Sequence, residues 1–321
     1  MDNDNSSSEP THIPGYYPFY ETDYGAAYLG DSLQMLRKMG SDSVQLVMTS
    51  PPYALQKKKK YGNKDSNEYV DWFMPFAEQF KRVLKDDGSI VIVIGGSWVK
   101  GKPVKNLYQY ELLLRMCKDL KLHLAQEIYW FNRAKLPSPA QWVTINRWRL
   151  KDAADQIFWL SKTPYPKANN ERVLHEYSES MNTLLKDRYY YKPSAKRPSG
   201  HKMSDKFFQG SGGAIPPNVL EFSNTESNGR YSSLCRKYGL ELHPARYPIQ
   251  LPEFFVNFLT DPDDLVLDPF AGSNATGEAA QIWDRKWVSL EINENYLKGS
   301  MTRFFDEQKL EREHGFTTNS K

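Results

Sequence analysis

The sequence has very few cysteines and no long apolar run. Its two cysteines, Cys117 and Cys235, are too few for a disulfide framework or a cysteine-based metal site. No apolar run approaches the roughly 20 residues that cross a bilayer, and the N-terminus lacks the basic and apolar segments of a signal peptide. We therefore expect a cytoplasmic protein with no membrane partner and no metal.

A large net charge of one sign is missing as well. The 321 residues carry a formal net charge of +3, so the bulk charge does not indicate a nucleic-acid partner. Two local stretches are nevertheless basic: residues 186–206 hold seven Lys and Arg against two Asp, and Lys57, Lys58, Lys59 and Lys60 form a continuous run. Both stretches could neutralise phosphates, although the four-lysine run could also be a solvated surface.

Apolar runs alternate with amphipathic segments along the chain. Residues 44–48, 90–94 and 265–267 form short, mainly apolar runs that predict buried strands, whereas 108–120 and 251–259 have apolar residues at helical spacing. This alternation indicates an α/β fold in which helices cover a mostly parallel sheet. The length fits one large domain or one domain that carries an insertion.

A rigid polar turn, Thr49-Ser50-Pro51-Pro52-Tyr53, follows the first of these strands. Consecutive prolines lack N–H groups and fix φ, so nearby carbonyl groups are left free to accept hydrogen bonds. Together with an aromatic ring, those acceptors suit a planar polar ligand. The same five residues could instead be a simple strand end with a packing tyrosine.

A second turn follows the late strand at 265–267. Asp268 precedes a turn that contains Gly272, then a helical segment, and Glu291 ends the next strand 23 residues after Asp268. A glycine that lets backbone approach a ligand, free N–H groups at a helix start and an acid for ribose hydroxyls form a nucleoside-binding arrangement. Gly272 and Gly277 do not satisfy the Gly-x-Gly-x-x-Gly pattern and no Walker lysine follows, which disfavours a pyrophosphate ligand. One glycine between a strand and a helix is also common architecture.

The order of these features, Ser-Pro-Pro-Tyr early, then a polar insertion, then Asp-Pro-Phe-Ala-Gly-Ser, resembles the amino-methylating DNA methyltransferases of the beta arrangement. The resemblance covers about residues 25–305. It implies a Rossmann-like S-adenosylmethionine-dependent α/β fold with a mostly parallel, seven-stranded, circularly permuted sheet and an inserted target-recognition region. It also implies S-adenosylmethionine as cofactor, S-adenosylhomocysteine as product and double-stranded DNA as substrate.

The resemblance divides the chain into five parts. We predict a flexible N-terminal arm at 1–23, a catalytic half at 24–163, a target-recognition region at 164–239, a cofactor-binding half at 240–305 and a C-terminal tail at 306–321. The third part is polar, contains many glycines and prolines and has little periodicity. Its aromatic and basic residues suit a nucleic-acid surface.

By the same resemblance, cofactor contacts are expected from both halves. Phe270 would pack on the adenine and Asp31 would lie near the adenine edge, although Asp31 could equally cap the helix that follows it. Asn274 departs from the family, in which glycine is common at this position. The expected cofactor residues are Asp31, Ser32, Asp268, Phe270, Gly272, Ser273 and Glu291.

The predicted reaction is methyl transfer to the exocyclic N4 of cytosine. The N4 lone pair is delocalised into the ring, and the Ser50 hydroxyl and Pro51 carbonyl, as acceptors, would localise it while Tyr53 stacks on the base. Pro52 completes the rigid turn. A paired base cannot reach such a site, so the cytosine must be flipped out of the duplex. The run Lys57–Lys60 follows the turn directly and would grip the strand.

Five segments, at 136–139, 197–201, 213–218, 223–229 and 243–246, resemble one cytosine-N4 member of the family in detail, and three of them lie within the polar insertion. This implies a CAGCTG-like palindrome and the modification arm of a restriction-modification system, with a genetically linked endonuclease. Candidate recognition residues are Arg197, His201, Asn224 and Asn228, since Arg pairs well with guanine and Asn with adenine. Each could instead serve a loop, and His201 lacks the neighbouring ligands of a metal site. A monomer or weak dimer and association with the nucleoid are expected.

Several alternatives stay open. Adenine-N6 methylation uses the same turn, usually with Asp in place of Ser50. Enzymes with related Pro-Pro-Tyr turns methylate amines of RNA or protein. A non-catalytic DNA-binding protein could also use the same fold. Cytosine-C5 methylation is excluded, because its nucleophilic cysteine follows a proline, whereas Cys117 follows Met116 and Cys235 follows Leu234.

Overall fold

A computed structural model describes residues 11–54, 64–187, 210–224 and 229–318. By its internal contacts the chain forms two compact units, Met1–Ala168 with Asn218–Lys321, and Asn169–Pro217. The smaller unit covers fewer residues than the predicted recognition region at 164–239, and the boundaries of that region stay a prediction. The predicted DNA contacts outside the described residues are Lys57, Lys58, Lys59, Lys60, Arg197, His201 and Asn228.

The larger unit holds one sheet, whose strands form where apolar and β-branched residues recur. In the described part of the chain the sheet has nine strands in the order β1-β2-β9-β8-β3-β4-β6-β5-β7. The strands are β1 (Tyr20–Glu21), β2 (Gly25–Leu29), β3 (Val44–Thr49), β4 (Leu84–Ile94), β5 (His123–Phe131), β6 (Ala154–Ser161), β7 (Val219–Glu221), β8 (Leu265–Asp268) and β9 (Lys286–Glu291).

The seven longer strands form the body of the sheet, and the short strands β1 and β7 lie at its two edges. The pairs β2–β9, β9–β8, β8–β3, β3–β4 and β5–β7 are parallel. The pairs β1–β2, β4–β6 and β6–β5 are antiparallel. The predicted mostly parallel sheet is therefore confirmed, and the two edge strands are an addition to the seven predicted.

The α-helices carry apolar residues at helical spacing, and several of them begin at a polar residue whose side chain caps the first turn. Asp31, Asn274 and Asp306 each precede a helix and accept a hydrogen bond from a backbone N–H of its first turn. The helices are α1 (Ser32–Leu36), α2 (Ser66–Val83), α3 (Tyr108–Lys118), α4 (Glu179–Lys186), α5 (Arg230–Lys237), α6 (Gln250–Leu259), α7 (Ala275–Ile282), α8 (Glu294–Ser300) and α9 (Glu307–Arg312).

Both faces of the sheet are covered, and the alternation of side chains along each strand decides which face a residue joins. On β3, Val47 packs into a cluster with Phe73 and Phe80 of α2. Its neighbour Leu46 packs into the opposite cluster, with Phe255 of α6. A sheet that is apolar on both faces is the arrangement expected of parallel strands. Within the described ranges, no helix combines the length and apolarity needed to span a membrane.

The predicted flexible arm at 1–23 is wrong for its described part, residues 11–23. Ile13 and Tyr20 are buried, and Tyr20 belongs to β1. The Tyr28 hydroxyl donates a hydrogen bond to the Thr11 carbonyl at 2.8 Å, and the Phe19 N–H donates to the Ala27 carbonyl at 2.7 Å. The apolar side chains of this segment fill the sheet edge, a role that its lack of periodicity concealed.

The predicted C-terminal tail also contains a folded element, α9, whose Leu310 is fully buried. The smaller unit contains α4 and a bridge between His175 and Ala214. A Cβ added to Gly213 would lie 2.6 Å from the His175 carbonyl oxygen, so this bridge requires glycine at that position.

The chain direction brings the ends of many strands to one edge of the sheet. Strands β2, β9, β8, β3 and β4 run parallel, and β6 runs the opposite way, so that its first residues meet their last residues. The strands that follow β8 and β3 in sequence lie on opposite sides of the β8–β3 pair. Such a switch point opens a crevice at the carboxyl ends of the strands, where ligands bind in open α/β sheets.

Candidate active site

A cavity of about 820 Å³ lies at this edge. Most of the predicted site residues within the described ranges contribute to its wall, whereas Asp268, Gly272 and Ser273 do not. The predicted residues that line it are Asp31, Ser32, Ser50, Pro51, Pro52, Tyr53, Asn224, Phe270 and Glu291.

Asp268 joins the two predicted turns. Its carboxylate accepts hydrogen bonds from the hydroxyls of Thr49 at 2.8 Å and Thr276 at 2.7 Å. The Phe270 N–H, at 3.1 Å, and the Tyr247 hydroxyl, at 3.2 Å, complete the set. The side chain is 1% exposed, and burial raises the pKa of its carboxyl. Asp268 therefore fixes the end of β8 to the end of β3 and does not face a ligand.

The proline turn presents its groups directly to the cavity. The Ser50 hydroxyl lies 3.4 Å from the Tyr53 hydroxyl and donates to it. A Cβ added to Gly95 would lie 2.5 Å from Cε2 of Tyr53, so only glycine leaves room for the ring. The Tyr108 hydroxyl donates a short hydrogen bond to the Gly95 carbonyl and fixes this backbone. Sequence reasoning missed Gly95, although its place directly after an apolar strand is a usable signal.

The cavity wall beside the proline turn holds an ion pair that the sequence did not indicate. Lys135 Nζ lies 2.7 Å from Asp155 Oδ1, and both side chains line the cavity. The same added Cβ on Gly95 would lie 3.0 Å from Asp155 Oδ1, so this carboxylate lies on the Tyr53 side of the cavity. The pair adds charged groups beside the proline turn.

Glu291 forms the acidic end of β9. One carboxylate oxygen accepts from the Gly272 N–H at 2.8 Å, and the other accepts from the Asn293 N–H at 2.8 Å. Burial raises the pKa of this carboxyl, and the two N–H donors act against that rise. Each oxygen keeps a second lone pair, so the side chain can still accept hydroxyl hydrogens from a ligand.

The turn between β8 and α7 is held by its polar side chains. Asn274 has a left-handed backbone with φ 55°, and its side chain caps α7 by accepting from the Gly277 N–H at 3.0 Å. It also donates to the Tyr20 hydroxyl at 2.9 Å and accepts from the Ser289 hydroxyl at 2.6 Å. Asparagine therefore replaces the glycine common in the family because it tolerates this φ and adds three hydrogen bonds. Ser273 accepts from the buried Arg303, away from the cavity.

Asp31 and Ser32 connect β2 to the same edge. Asp31 accepts from the Gln34 N–H at 3.0 Å, so it caps α1 and also lines the cavity. The Ser32 hydroxyl donates to the Pro269 carbonyl at 2.6 Å. The predicted helix-cap role of Asp31 is thus present, and one of its carboxylate oxygens is taken up by the backbone.

An aromatic wall surrounds Phe270. Its ring centroid lies 5.1 Å from that of Phe76 and 5.9 Å from that of Trp72, and all three side chains line the cavity. Sequence reasoning missed Trp72 and Phe76, which both belong to α2. Together they provide an apolar surface for a flat ring.

The segment between α5 and α6 closes the remaining side. Asn224 Nδ2 donates to the Arg246 carbonyl at 2.5 Å, and the Arg246 guanidinium lies over the Tyr231 ring at 5.0 Å. His243 packs edge-on to Tyr296, and burial lowers the pKa of its imidazole to about 4. A Cβ added to Gly272 would lie 3.0 Å from this imidazole. His243 is therefore neutral at pH 7 and sets the space beside the glycine turn.

The part of the chain that the structure describes contains no cluster of His, Cys, Asp or Glu side chains that could hold a metal ion. A sheet covered on both faces, a glycine turn after one strand, an acid at the end of the next and an aromatic wall define a Rossmann-like fold with a cavity of the kind in which such folds bind nucleoside ligands. The proline turn, fixed to that half by Asp268, provides a second binding face in the same cavity.

The family model described as DNA methylase, for N6 and N4 methyltransferases, matches residues 44–302. The type II methyltransferase M.PvuII of Proteus hauseri is 47% identical over 292 residues, which cover 91% of this chain and 87% of that protein. M.BglII of Bacillus subtilis is 28% identical, with 92% and 72% covered. The solved PvuII DNA methyltransferase (cytosine-N4-specific) has a TM-score of 0.75 at 42% identity, with 92% of this chain and 91% of its own covered.

The chain belongs to this family and is a DNA methyltransferase. The predicted family, enzyme class and Rossmann-like fold are confirmed. The roles assigned to individual site residues stay predictions.

Proposed function

We propose that this enzyme transfers a methyl group from S-adenosylmethionine to the exocyclic N4 of a flipped cytosine in duplex DNA. The observation that carries the proposal is the hydrogen bond between Thr49 and Asp268, because it joins the proline turn to the nucleoside-type turn within one cavity. The name of the solved relative, which is cytosine-N4-specific, supports this choice of atom.

The cavity residues fit a nucleoside with a short charged tail. The volume of the cavity, about 820 Å³, lies in the range of about 300–1,000 Å³ found for ligand pockets. Glu291 would accept the ribose hydroxyls, and the aromatic wall of Phe270, Trp72 and Phe76 would hold the adenine. When bound, the cofactor supplies an electrophilic methyl sulfonium. The space beside Gly272 is limited by His243, which restricts how a ligand lies along this turn.

The proline turn would hold the amine. Because Ser50 donates its hydrogen towards Tyr53, its oxygen lone pairs remain available to accept a hydrogen from N4. The Pro51 carbonyl would accept the second hydrogen, and the two acceptors would localise the nitrogen lone pair. Tyr53 would stack on the base, with its position fixed by Gly95. Ser50 orients the amine and is too weak a base to deprotonate it first.

The finer features of the proposal follow the resemblance. The target is a CAGCTG-like palindrome, the enzyme is the modification arm of a restriction-modification system, and the cognate endonuclease is linked genetically and not physically. The enzyme acts as a monomer or weak dimer, and its location is cytoplasmic and nucleoid-associated. Asn224 contributes to recognition through the loop of Arg246, because its amide nitrogen is bound to that loop.

Product analysis tests the choice of atom. Duplex DNA is methylated with labelled S-adenosylmethionine and digested to nucleosides, and we expect N4-methylcytosine. Recovery of N6-methyladenine alone would overturn the proposal in favour of the adenine alternative. Competition with RNA separates duplex DNA from the other substrates.

Two variants separate the halves of the site. Glu291→Gln should weaken S-adenosylmethionine binding about tenfold, since it removes a charged acceptor. Ser50→Ala should leave that binding unchanged and slow methyl transfer. Equal effects of the two variants on binding would contradict the assigned roles.

Protection from cleavage tests the target. DNA that contains CAGCTG should become resistant to an endonuclease that cuts this sequence, whereas a CACGTG control duplex should take up no label. An active enzyme that leaves CAGCTG unmodified would refute the target and leave the chemistry standing.

A further inference from the structure

The segment at 132–153, between β5 and β6, forms a compact element at the rim of the cavity, here called the β5–β6 excursion. Its start lines the cavity through Asn132 and Lys135. Its middle is closed by hydrogen bonds from the N–H groups of Trp148 and Arg149 to the Trp142 carbonyl, at 2.8 and 3.2 Å. The rings of Trp142 and Trp148 stack with centroids 5.9 Å apart and planes at 8°. The excursion is therefore an ordered element with a defined surface.

This surface exposes large apolar side chains to solvent. Leu136 is 79% exposed, Ile145 67%, Trp148 59% and Leu150 90%. A single exposed leucine is ordinary, whereas four large apolar residues within 15 positions beside a binding cavity indicate a partner surface.

The same surface is basic, although Arg133 and Lys135 at its start are paired with Glu221 and Asp155. The excursion carries five cations against one acid, and the loop at 97–107 adds three lysines with no acid. The one acid, Asp152, is bound by Lys105 and by the Trp98 Nε1–H at 3.1 Å. The cations are Lys100, Lys102 and Lys105 of the loop and Arg133, Lys135, Arg147, Arg149 and Lys151 of the excursion.

The two segments act as one surface. Arg149 Nε donates to the Pro103 carbonyl at 3.0 Å, and Asp152 joins the excursion to Lys105. Arg147 makes no ion pair within the described residues, so its charge is available to an external anion. Among these cations, Arg147 is therefore the one that we most expect to contact a phosphate.

We propose that the β5–β6 excursion is a second DNA-binding element that enters the duplex beside the flipped base. Trp148 and Leu150 press against the exposed bases, and Arg147, Lys100 and Lys102 contact the flanking phosphates. Apolar wedges combined with cations are how proteins open a base step, because contact with the bases offsets the loss of stacking. A protein partner fits this surface less well, since a cationic rim complements an anionic backbone. The inference rests on the proposed methylation of flipped cytosine in DNA.

A comparison of paired and unpaired target bases tests the wedge. Leu150→Ala and Trp148→Ala are assayed on a CAGCTG duplex and on the same duplex with the target cytosine opposite an abasic site. We expect kcat/KM to fall about tenfold or more on the paired duplex and less than about threefold on the unpaired one, which is already easier to flip. Leu114→Ala, on the exposed side of α3, serves as the control.

The outcomes separate this inference from the proposed function. An equal loss on both duplexes, or no loss on either, would overturn the wedge. Wild-type enzyme that methylates neither duplex nor plasmid DNA would contradict the proposed function instead. Because Leu150 is 90% exposed, we expect its replacement to leave the core intact, and thermal melting of both variants checks this.

The phosphate contact is tested by the salt dependence of binding. Each lost contact reduces the slope of log K against log salt by about 0.9. Arg147→Gln should show this reduction, whereas Arg312→Gln on α9, which changes the net charge equally, should not. An unchanged slope for Arg147→Gln would remove Arg147 from the interface. A change in oligomeric state with DNA binding unaltered would indicate a protein partner and overturn the proposal.

Discussion

The proposed cofactor side of the cavity, around Glu291 and the turn after β8, and the proposed base side, around the proline turn and Gly95, are built differently. On the cofactor side, hydrogen bonds within the fold hold the polar side chains of Asp268, Asn274 and Glu291 in place. On the base side, Tyr53 occupies a space that exists only because Gly95 has no side chain, and an ion pair between Lys135 and Asp155 lies nearby. The geometry of the cofactor side therefore depends on hydrogen bonds, whereas that of the base side depends on the room that Gly95 leaves for the Tyr53 ring.

This difference separates binding from chemistry. On a side held by many buried hydrogen bonds, the loss of one bond lowers the stability of the fold but leaves the other groups in place. A side that depends on the position of one ring loses its function when the ring moves, because misplacement by about 1 Å can slow a reaction about a hundredfold. Substitutions on the cofactor side should therefore mainly lower stability, and substitutions on the base side should mainly lower the rate of methyl transfer.

The largest effect is expected on the base side from Gly95→Ala. The new Cβ would collide with Tyr53 and Asp155, so methyl transfer should fall about a hundredfold. Binding of S-adenosylmethionine, measured by calorimetry, should stay within about twofold. Gly40→Ala, where a Cβ meets nothing within 4 Å, is the control. Loss of cofactor affinity as large as the loss of rate would show that the two sides are not separate.

A smaller effect is expected at the joint between the sides, from Thr49→Val. The substitution keeps the shape and removes the hydroxyl that donates to Asp268, a buried charged acceptor. The free energy of unfolding should fall by about 2 kcal/mol, measured by urea denaturation. Ser43→Ala, whose hydroxyl bonds an exposed carbonyl, should change it by less than about 0.5 kcal/mol. Equal losses would mean that Asp268 does not hold the two strands together.

The smallest effect is a pH dependence on the cofactor side. Burial lowers the pKa of His243 to about 4, so the unfolded chain binds a proton at acidic pH before the folded chain does. Stability is then fully present above about pH 6.5 and is lost as the pH falls towards 4. Between pH 7 and 5.5 the loss from this group is about 1 kcal/mol.

Urea denaturation at the two pH values measures this loss. His243→Gln should remove about 1 kcal/mol of it, whereas His123→Gln, at an exposed position on β5, should leave it in place. Identical acid sensitivity in wild type and His243→Gln would place the titrating group elsewhere.

The elements were predicted well where local pattern decides them. The apolar runs at 44–48 and 265–267 are strands, and the helical spacing at 251–259 matches α6, because burial on a sheet or on one helix face imposes a period on the sequence. The segment at 11–23 has no such period. Its residues Ile13 and Tyr20 fill gaps at a sheet edge, which only neighbouring elements define.

The candidate site was predicted in part for the same reason. Ser50, Tyr53, Glu291 and Phe270 were chosen from motifs, and all of them line the cavity. Asp268 was chosen with them and turns inward, because three hydroxyls from other segments and one backbone N–H surround its carboxylate. A motif indicates which residues lie near a site but not which atom faces it.

The sequence by itself determined the class of fold and the order of the two turns, because these follow from local periodicity and from short motifs, and the resemblance of those motifs to a known family indicated the type of chemistry. Only the tertiary structure decided which residues share the cavity. Asp155 reaches the proline turn because β6 runs against its neighbours and brings its first residues to their last. Lys135 joins it because it follows β5, whose last residues pair with the first residues of β6. Strand order and direction arise from packing across the whole sheet, and no local stretch of sequence contains them.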